Sequence, residues 1–206
     1  LLLAVSVFDP YAMTTALYYL VHSTFAAAAL FLLADLIIAR RSNDWLGVQP
    51  ATVQNGLFAA LFFAGAIAMA GMPPLSGFLG KLMILDALRS PELIGWAWTA
   101  ILLGSLLTIL GFAQAGSVLF WKSTASTASD LGKAADAPGD QAKPDTDSLP
   151  ATALVIAPSM MALCVLAALT VMAGPVTTYL EATSAQLYDS SSYVDAVLNG
   201  NSREAK

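Results

Sequence analysis

Long apolar stretches separated by short polar ones run along most of this chain. Four apolar segments stand out, at 11–39, 56–88, 93–121 and 150–180. Each is long enough to cross a bilayer as a helix, because a hydrocarbon core of about 30 Å needs about 20 helical residues. The pattern predicts an all-α integral membrane protein built as a bundle of transmembrane helices.

The remaining segments follow from the same pattern. We interpret residues 1–8 as the tail of a preceding membrane helix and expect the chain to be the C-terminal part of a longer protein. Residues 122–149 have few large apolar side chains and cannot bury a core, so they predict a flexible linker. The apolar spacing over 181–199 predicts an amphipathic helix on the outer surface, and the polar residues 200–206 predict a tail.

The second apolar segment is too long for one straight helix. Over 56–88 such a helix would be about 50 Å long, well beyond the hydrocarbon core. Pro73 and Pro74 lack backbone N–H groups and clash with the preceding turn, and Gly77 adds conformational freedom. The sequence therefore predicts a broken helix, with its break near residues 71–78.

The positive residues predict the orientation in the membrane. Arg40 and Arg41 follow the first span, and Lys122, Lys133 and Lys143 follow the third. Lys and Arg are enriched in cytoplasmic connections. We therefore expect both of these connections, including the linker, on the cytoplasmic side.

Composition narrows the classes of function. The chain is 57% hydrophobic and only 11% charged, against about 25% charged residues in soluble domains. Its net charge of -5 and its lack of a basic patch argue against nucleic-acid binding. It has one cysteine and one histidine, and it carries no nucleotide-binding loop and no hydrolase or haem motif. We therefore predict no cofactor, no metal and no enzyme activity.

Lys81 is the first candidate for chemistry. It lies inside an apolar segment, directly after the predicted helix break. Charged side chains in hydrocarbon are costly and usually serve a function, and broken helices are common in transporters. The predicted role is a proton relay. The alternative is a lysine that extends its amine to the lipid headgroups.

His22 is the second candidate, close to the middle of the bilayer at about 1.5 Å per residue. Histidine exchanges protons near neutral pH. Ser23 and Thr24 follow it, and Tyr18 lies one turn before it, so together they predict a polar stripe. The alternative is a histidine that only packs and bonds a neighbouring carbonyl.

Two further polar residues belong to the predicted path. Asp35 lies near the end of the first span, where it either takes up protons from the cytoplasm or pairs with the following arginines. Ser76 lies in the break. We expect its hydroxyl to line a polar cavity that joins His22 and Lys81, because carbonyls freed at a break must be satisfied by protein or water.

Three strings carry a resemblance to a known family. They are Tyr18–Thr24 (YYLVHST, continuing to Asp35), Gly71–Lys81 (GMPPLSGFLGK) and Ala115–Lys122 (AGSVLFWK). They resemble the antiporter-like subunits shared by Mrp-type cation/proton antiporters and respiratory complex I. The third string and the tail Glu181–Leu187 favour the D-subunit family of the Mrp-type sodium/proton antiporters.

The resemblance implies a fold with two inverted helix repeats, of which this chain would hold part of the second. It implies that Lys81 and His22 belong to a proton path, while a Glu and Lys pair of the first repeat would lie upstream. Some relatives carry a lysine four residues after the histidine, where this chain has Ala26. The implied partners are other hydrophobic subunits, sodium ions and protons.

The leading hypothesis is a proton-translocating subunit of a multisubunit sodium/proton antiporter in a bacterial plasma membrane. The alternative within the same fold is a proton-pumping membrane subunit of a complex I-type quinone oxidoreductase. A third hypothesis is a structural scaffold, in which neutral replacements of His22 and Lys81 would be tolerated.

Overall fold

The computed structural model describes residues 1–39, 54–89, 94–122 and 153–191, together with Val194 and Val197. Every regular element within these residues is a helix, which agrees with the all-α prediction. The elements are α1 (Leu2–Val5), α2 (Pro10–Ile38), α3 (Asn55–Ala70), α4 (Ser76–Ala87), α5 (Ile94–Gly116), a π-helical continuation of α5 (Ser117–Trp121), α6 (Ala153–Val171) and α7 (Ala173–Tyr188).

Three of these helical segments are long and apolar enough to cross a membrane: α2, α5 with its π-helical continuation, and α6. The arginines at 40 and 41, the predicted linker beyond Lys122 and the predicted tail at 200–206 lie outside the described residues. The inferred orientation therefore stays a prediction.

α2 is the central helix. Its first turn is capped by Asp9, whose carboxylate accepts a hydrogen bond from the backbone N–H of Ala12 at 3.1 Å. It contacts α1, α3, α4, α6 and α7. Its buried side carries small residues that let neighbouring helices approach closely, namely Ala12, Ala16, Ala26 and Ala29. His22 lies midway along this packed helix.

The predicted break in the second span is confirmed. α3 ends at Ala70, and Gly71 caps it in the left-handed region with φ of 70°. Leu75 is extended, and α4 begins at Ser76. The residues between the two helices include Pro73 and Pro74, which cannot donate the backbone hydrogen bonds that a continuous helix needs.

The end of the chain is divided differently from the prediction. The expected span at 150–180 ends at Val171, and α7 starts at Ala173, well before the predicted amphipathic helix at 181–199. Gly174 and Pro175 explain the new boundary, because proline suits the first turn of a helix better than its interior. Pro158, in contrast, lies inside α6 without ending it.

α5 packs on α3 and α4 and presents most of its surface outward. Its strongly exposed leucines are Leu102, Leu103, Leu106, Leu107 and Leu110. Such a surface suits a helix that faces hydrocarbon, where apolar side chains need no cover. The same helix brings a few hydroxyl groups toward the broken helix.

Candidate functional site: the helix break

The chemistry of proline leaves acceptors without partners at the end of α3. In a continuing helix, the carbonyl of Met69 would accept from residue 73 and that of Ala70 from residue 74. Both of those residues are prolines. The chain instead turns sharply, with the Gly71 N–H donating to the Ala68 carbonyl at 3.1 Å. The break therefore leaves carbonyl oxygens free inside an apolar segment, where other groups must satisfy them.

Lys81 satisfies one of them. Its Nζ donates to the Ala70 carbonyl oxygen at 2.7 Å and to Ser105 Oγ on α5 at 2.9 Å. The amine thus points to the break and to a neighbouring helix rather than out to the headgroups. Of the two placements that the sequence allows, the structure has the inward one.

Gly71 is required for this placement in two ways. Its φ of 70° is strained for any residue with a side chain. A Cβ at this position would also lie 2.7 Å from Cδ, 2.8 Å from Cε and 2.9 Å from Nζ of Lys81. The lysine side chain therefore passes directly over the glycine on its way to the carbonyl of Ala70.

His22 occupies the other side of the break. It is 1% exposed, and its Nδ1 lies 2.8 Å from Ser76 Oγ, in the first turn of α4. The ring also forms a hydrogen bond with the backbone of Ala68. Because a carbonyl only accepts, a neutral ring donates there and accepts from the Ser76 hydroxyl.

Gly77 allows the ring to sit this close. A Cβ on Gly77 would lie 2.6 Å from Nε2 of His22 and closer still to the Ala68 carbonyl oxygen. Real side chains do not tolerate such distances, so the site needs glycine here. His22 and Lys81 thus bind backbone groups that are only two residues apart, at Ala68 and Ala70. The last turn of α3, just before the break, therefore contacts both candidates.

The other predicted path residues are not brought to the break. Tyr18 is fully buried, but its hydroxyl donates to the Leu169 carbonyl on α6 at 3.2 Å. Ser23 and Thr24 bond back to the Leu20 carbonyl at 3.1 and 2.8 Å. Positions one and two residues after His22 point away from its face of the helix, so the predicted polar stripe with it does not form.

Asp35 also lies apart from the break. It is exposed near the end of α2, roughly 20 Å along the helix from His22 at 1.5 Å per residue. The arginines proposed to pair with it fall outside the described residues. Its place in a proton path stays a prediction.

Two contacts of the site were not predicted from the sequence. Ser105 binds the Lys81 amine, and the Tyr19 ring lies with its centroid 5.8 Å from that of His22. The sequence contains hydroxyls throughout α5, and nothing in their spacing singles out Ser105. Tyr19 follows Tyr18 directly, and only the packing of α2 against α4 decides which of the two faces the break.

A cavity of about 290 Å³ reaches the lysine from the α5 side. Its polar lining comes from Lys81, Tyr19, Ser105 and Thr108, and the rest is apolar. His22 and Ser76 are not part of this lining, so this cavity does not join the two candidates as predicted. No group of three or more His, Cys, Asp or Glu side chains that could hold a metal ion occurs in the described part of the chain.

Comparison with known proteins places this arrangement in a family. Residues 1–111, more than half of the chain, match the family described as "NADH:quinone oxidoreductase/Mrp antiporter, TM". The chain belongs to this family. The matched residues include His22, Lys81, Ser105 and the break between α3 and α4. This member of the NADH:quinone oxidoreductase/Mrp antiporter family is a multi-pass membrane protein.

Individual relatives agree with the resemblance to Mrp D subunits. The D subunit of the Na(+)/H(+) antiporter of Bacillus subtilis is 37% identical over 87 residues, which are 42% of this chain and 18% of that protein. The corresponding D subunit of Alkalihalophilus pseudofirmus is 30% identical over 127 residues, which are 59% of this chain and 24% of that protein. The predicted resemblance is confirmed.

A solved structure agrees as well. A chain of the Mrp complex from Dietzia sp. DQ12-45-1b matches with a TM-score of 0.72 and 26% identity. The match covers 95% of this family member and 41% of that chain. This member thus spans less than half the length of each of these relatives.

Proposed function

We propose that this chain is part of a proton-translocating subunit of a multisubunit sodium/proton antiporter in a bacterial plasma membrane. Two relatives named as D subunits of Na(+)/H(+) antiporters and a chain of an Mrp complex support this assignment. Its partners would be the other membrane subunits of such a complex. It acts as a transporter subunit and not as an enzyme in its own right.

The observation that carries the proposal is the Lys81 amine, which binds the open backbone of a broken helix within an apolar segment. Placing a lysine at the bilayer centre costs about 2.5–3.5 kcal/mol on insertion scales. Here the freed carbonyl of Ala70 and the hydroxyl of Ser105 offset that cost. A carrier held in this way takes up a proton as ammonium and releases it as amine.

His22 is the second carrier in this proposal. A neutral ring accepts from Ser76 and donates to Ala68, whereas a protonated ring donates through both nitrogens. Taking up a proton therefore reverses the direction of the hydrogen bond between His22 and Ser76, so that the ring donates to the hydroxyl. That hydroxyl rotates in the first turn of the helix that carries Lys81, so the state of His22 is communicated to α4 without a change in its position.

Replacement of Lys81 tests the proposal directly. The full-length Lys81→Ala variant, assembled with its partner subunits, should lose sodium-driven proton movement in inverted membrane vesicles. Lys122→Ala is the matched control, because Lys122 is exposed beyond the π-helical end of α5. Full transport by an assembled Lys81→Ala complex would refute the proposed role of Lys81 and favour the scaffold hypothesis.

The alternative is a proton-pumping subunit of a complex I-type quinone oxidoreductase, and the shared family description supports it. Purification from native membranes separates the two hypotheses. Flavin and iron–sulfur subunits bound to this protein would identify an oxidoreductase. Small hydrophobic subunits alone would identify an antiporter.

A further inference from the structure

The Lys81 ammonium is held by acceptors from two separate elements. It has three N–H donors. One binds the Ala70 carbonyl at the end of α3, and another binds Ser105 Oγ on α5. Two donors are thus occupied, and the third remains for exchange with the cavity that Lys81 lines.

The Ser105 hydroxyl has a defined direction. Its hydrogen is donated to the Ile101 carbonyl one turn earlier at 2.9 Å. A hydroxyl carries only one hydrogen, so toward Lys81 its oxygen acts as an acceptor. This fixed orientation presents an acceptor to the Lys81 amine and holds its side chain against α5.

The bond to Lys81 is additional to what the serine needs for itself. Serine and threonine in membrane helices commonly donate to the carbonyl one turn earlier. Thr99 and Thr108 on the same helix do so, to Gly95 and Gly104 at 2.7 and 2.8 Å. Of these three hydroxyls, Ser105 is the one hydrogen-bonded to Lys81.

We propose that Ser105 is a positioning residue for proton transfer, which holds the Lys81 amine between the break and the cavity. The inference rests on the proposed function of Lys81. Without the hydroxyl, the amine keeps the Ala70 carbonyl but loses the contact that fixes its direction. Misplacing a reacting group by about 1 Å can slow a reaction by about 100-fold.

The test compares variants of the full-length chain in assembled complexes. Ser105→Ala should lower the maximal rate of sodium-driven proton movement at least about tenfold, while the sodium concentration for half-maximal rate stays unchanged. Ser105→Thr keeps a hydroxyl on the same carbon and should restore most of the rate. Thr99→Val, which removes a hydroxyl that bonds only within α5, is the matched control and should transport like the unmodified protein.

Each result is decisive. An unchanged rate in Ser105→Ala, or a Ser105→Thr variant as slow as Ser105→Ala, would overturn the positioning role. Lys81→Ala in the same assay separates this failure from that of the proposed function: if only Lys81→Ala is inactive, the lysine carries protons without help from Ser105. If Ser105→Ala does not assemble, Ser105→Cys keeps the volume with a weaker acceptor and should assemble and transport slowly.

Discussion

At the scale of single residues, the site is built from backbone oxygens as much as from side chains. Ala68 and Ala70 carry no functional group, yet their carbonyls bind His22 and Lys81. Glycine at 71 and 77 lets the two side chains come that close. Small residues therefore leave the space in which the two titratable side chains reach the backbone.

The proton-carrying role proposed for Lys81 predicts that arginine cannot replace it. An arginine guanidinium does not release its proton in proteins, and its planar fork does not match a single ammonium position. Lys81→Arg should therefore assemble and lose transport in inverted vesicles. Transport by this variant at the rate of the unmodified protein would show that the charge matters and proton release does not.

His22 can be tested by a substitution that keeps its hydrogen bonds. The amide of glutamine both donates and accepts, so His22→Gln can still serve the Ala68 carbonyl and Ser76, but it cannot carry a proton at neutral pH. We expect an assembled complex with a rate at least about tenfold lower, in the range typical of lost acid–base groups. The rates should be compared from about pH 6 to about pH 9, which spans the neutral region where histidine titrates. If the variant and the unmodified protein have equal rates throughout, His22 has only a packing role.

Replacing Gly77 with alanine should lower the stability of the folded protein. The Cβ of Gly77→Ala would meet Nε2 of His22 at 2.6 Å, and overpacking of this kind typically costs about 1–3 kcal/mol. Gly111→Ala is the control, because nothing lies within 4 Å of its added Cβ. Thermal unfolding in detergent should show a lower midpoint for Gly77→Ala alone. Equal midpoints would mean that the ring moves aside freely.

At the scale of elements, the break between α3 and α4 is the part that the sequence predicts best. Pro73 and Pro74 act through local covalent chemistry, which is independent of the rest of the fold. The contact between Lys81 and Ser105 depends on how α5 packs against α4, and no local pattern encodes it. The predicted span at 150–180 did not separate α6 from α7, because a proline alone does not decide where a helix ends. Pro158 lies inside α6, whereas Pro175 lies in the first turn of α7.

The break itself can be removed. The double variant Pro73→Ala with Pro74→Ala regains two backbone N–H groups, which can bond the carbonyls of Met69 and Ala70. It also removes the penalty of about 3 kcal/mol that each proline imposes on a continuous helix. The restored helix would compete with Lys81 for Ala70. We expect transport to fall at least about tenfold, whereas Pro158→Ala, the control in α6, should keep the rate of the unmodified protein. A double variant with full transport would contradict the role of the break.

At the scale of the whole molecule, one central helix organises the described bundle. α2 contacts five other helices and carries His22 midway along its length. Burial of α2 is dominated by small residues, which is typical of close helix packing in membranes. Hydropathy predicts the three helices long enough to span, α2, α5 and α6. It cannot predict that Ser23 and Thr24 bond within α2 while Tyr18 bonds to α6.

The orientation of the molecule in the membrane is predicted from the positions of its positive residues. The sequence between Ser123 and Leu149 should be cut by protease added to the cytoplasmic face of the membrane, because the lysines in and before it favour that side. Inverted and right-side-out vesicles give the two arms of the experiment. Cleavage only in right-side-out vesicles would show that the orientation is the reverse of the predicted one.

The prolines of the break have one more consequence. A carbonyl that faces a proline nitrogen cannot receive the hydrogen bond that a regular helix would give it. If proton transfer moves the Lys81 amine away from Ala70, another donor has to take its place, and water is a small donor that can do so. Under the proposed function, movement of the lysine would therefore be coupled to hydration of the break, so that one hydrogen bond would separate a dry resting state from a hydrated conducting state.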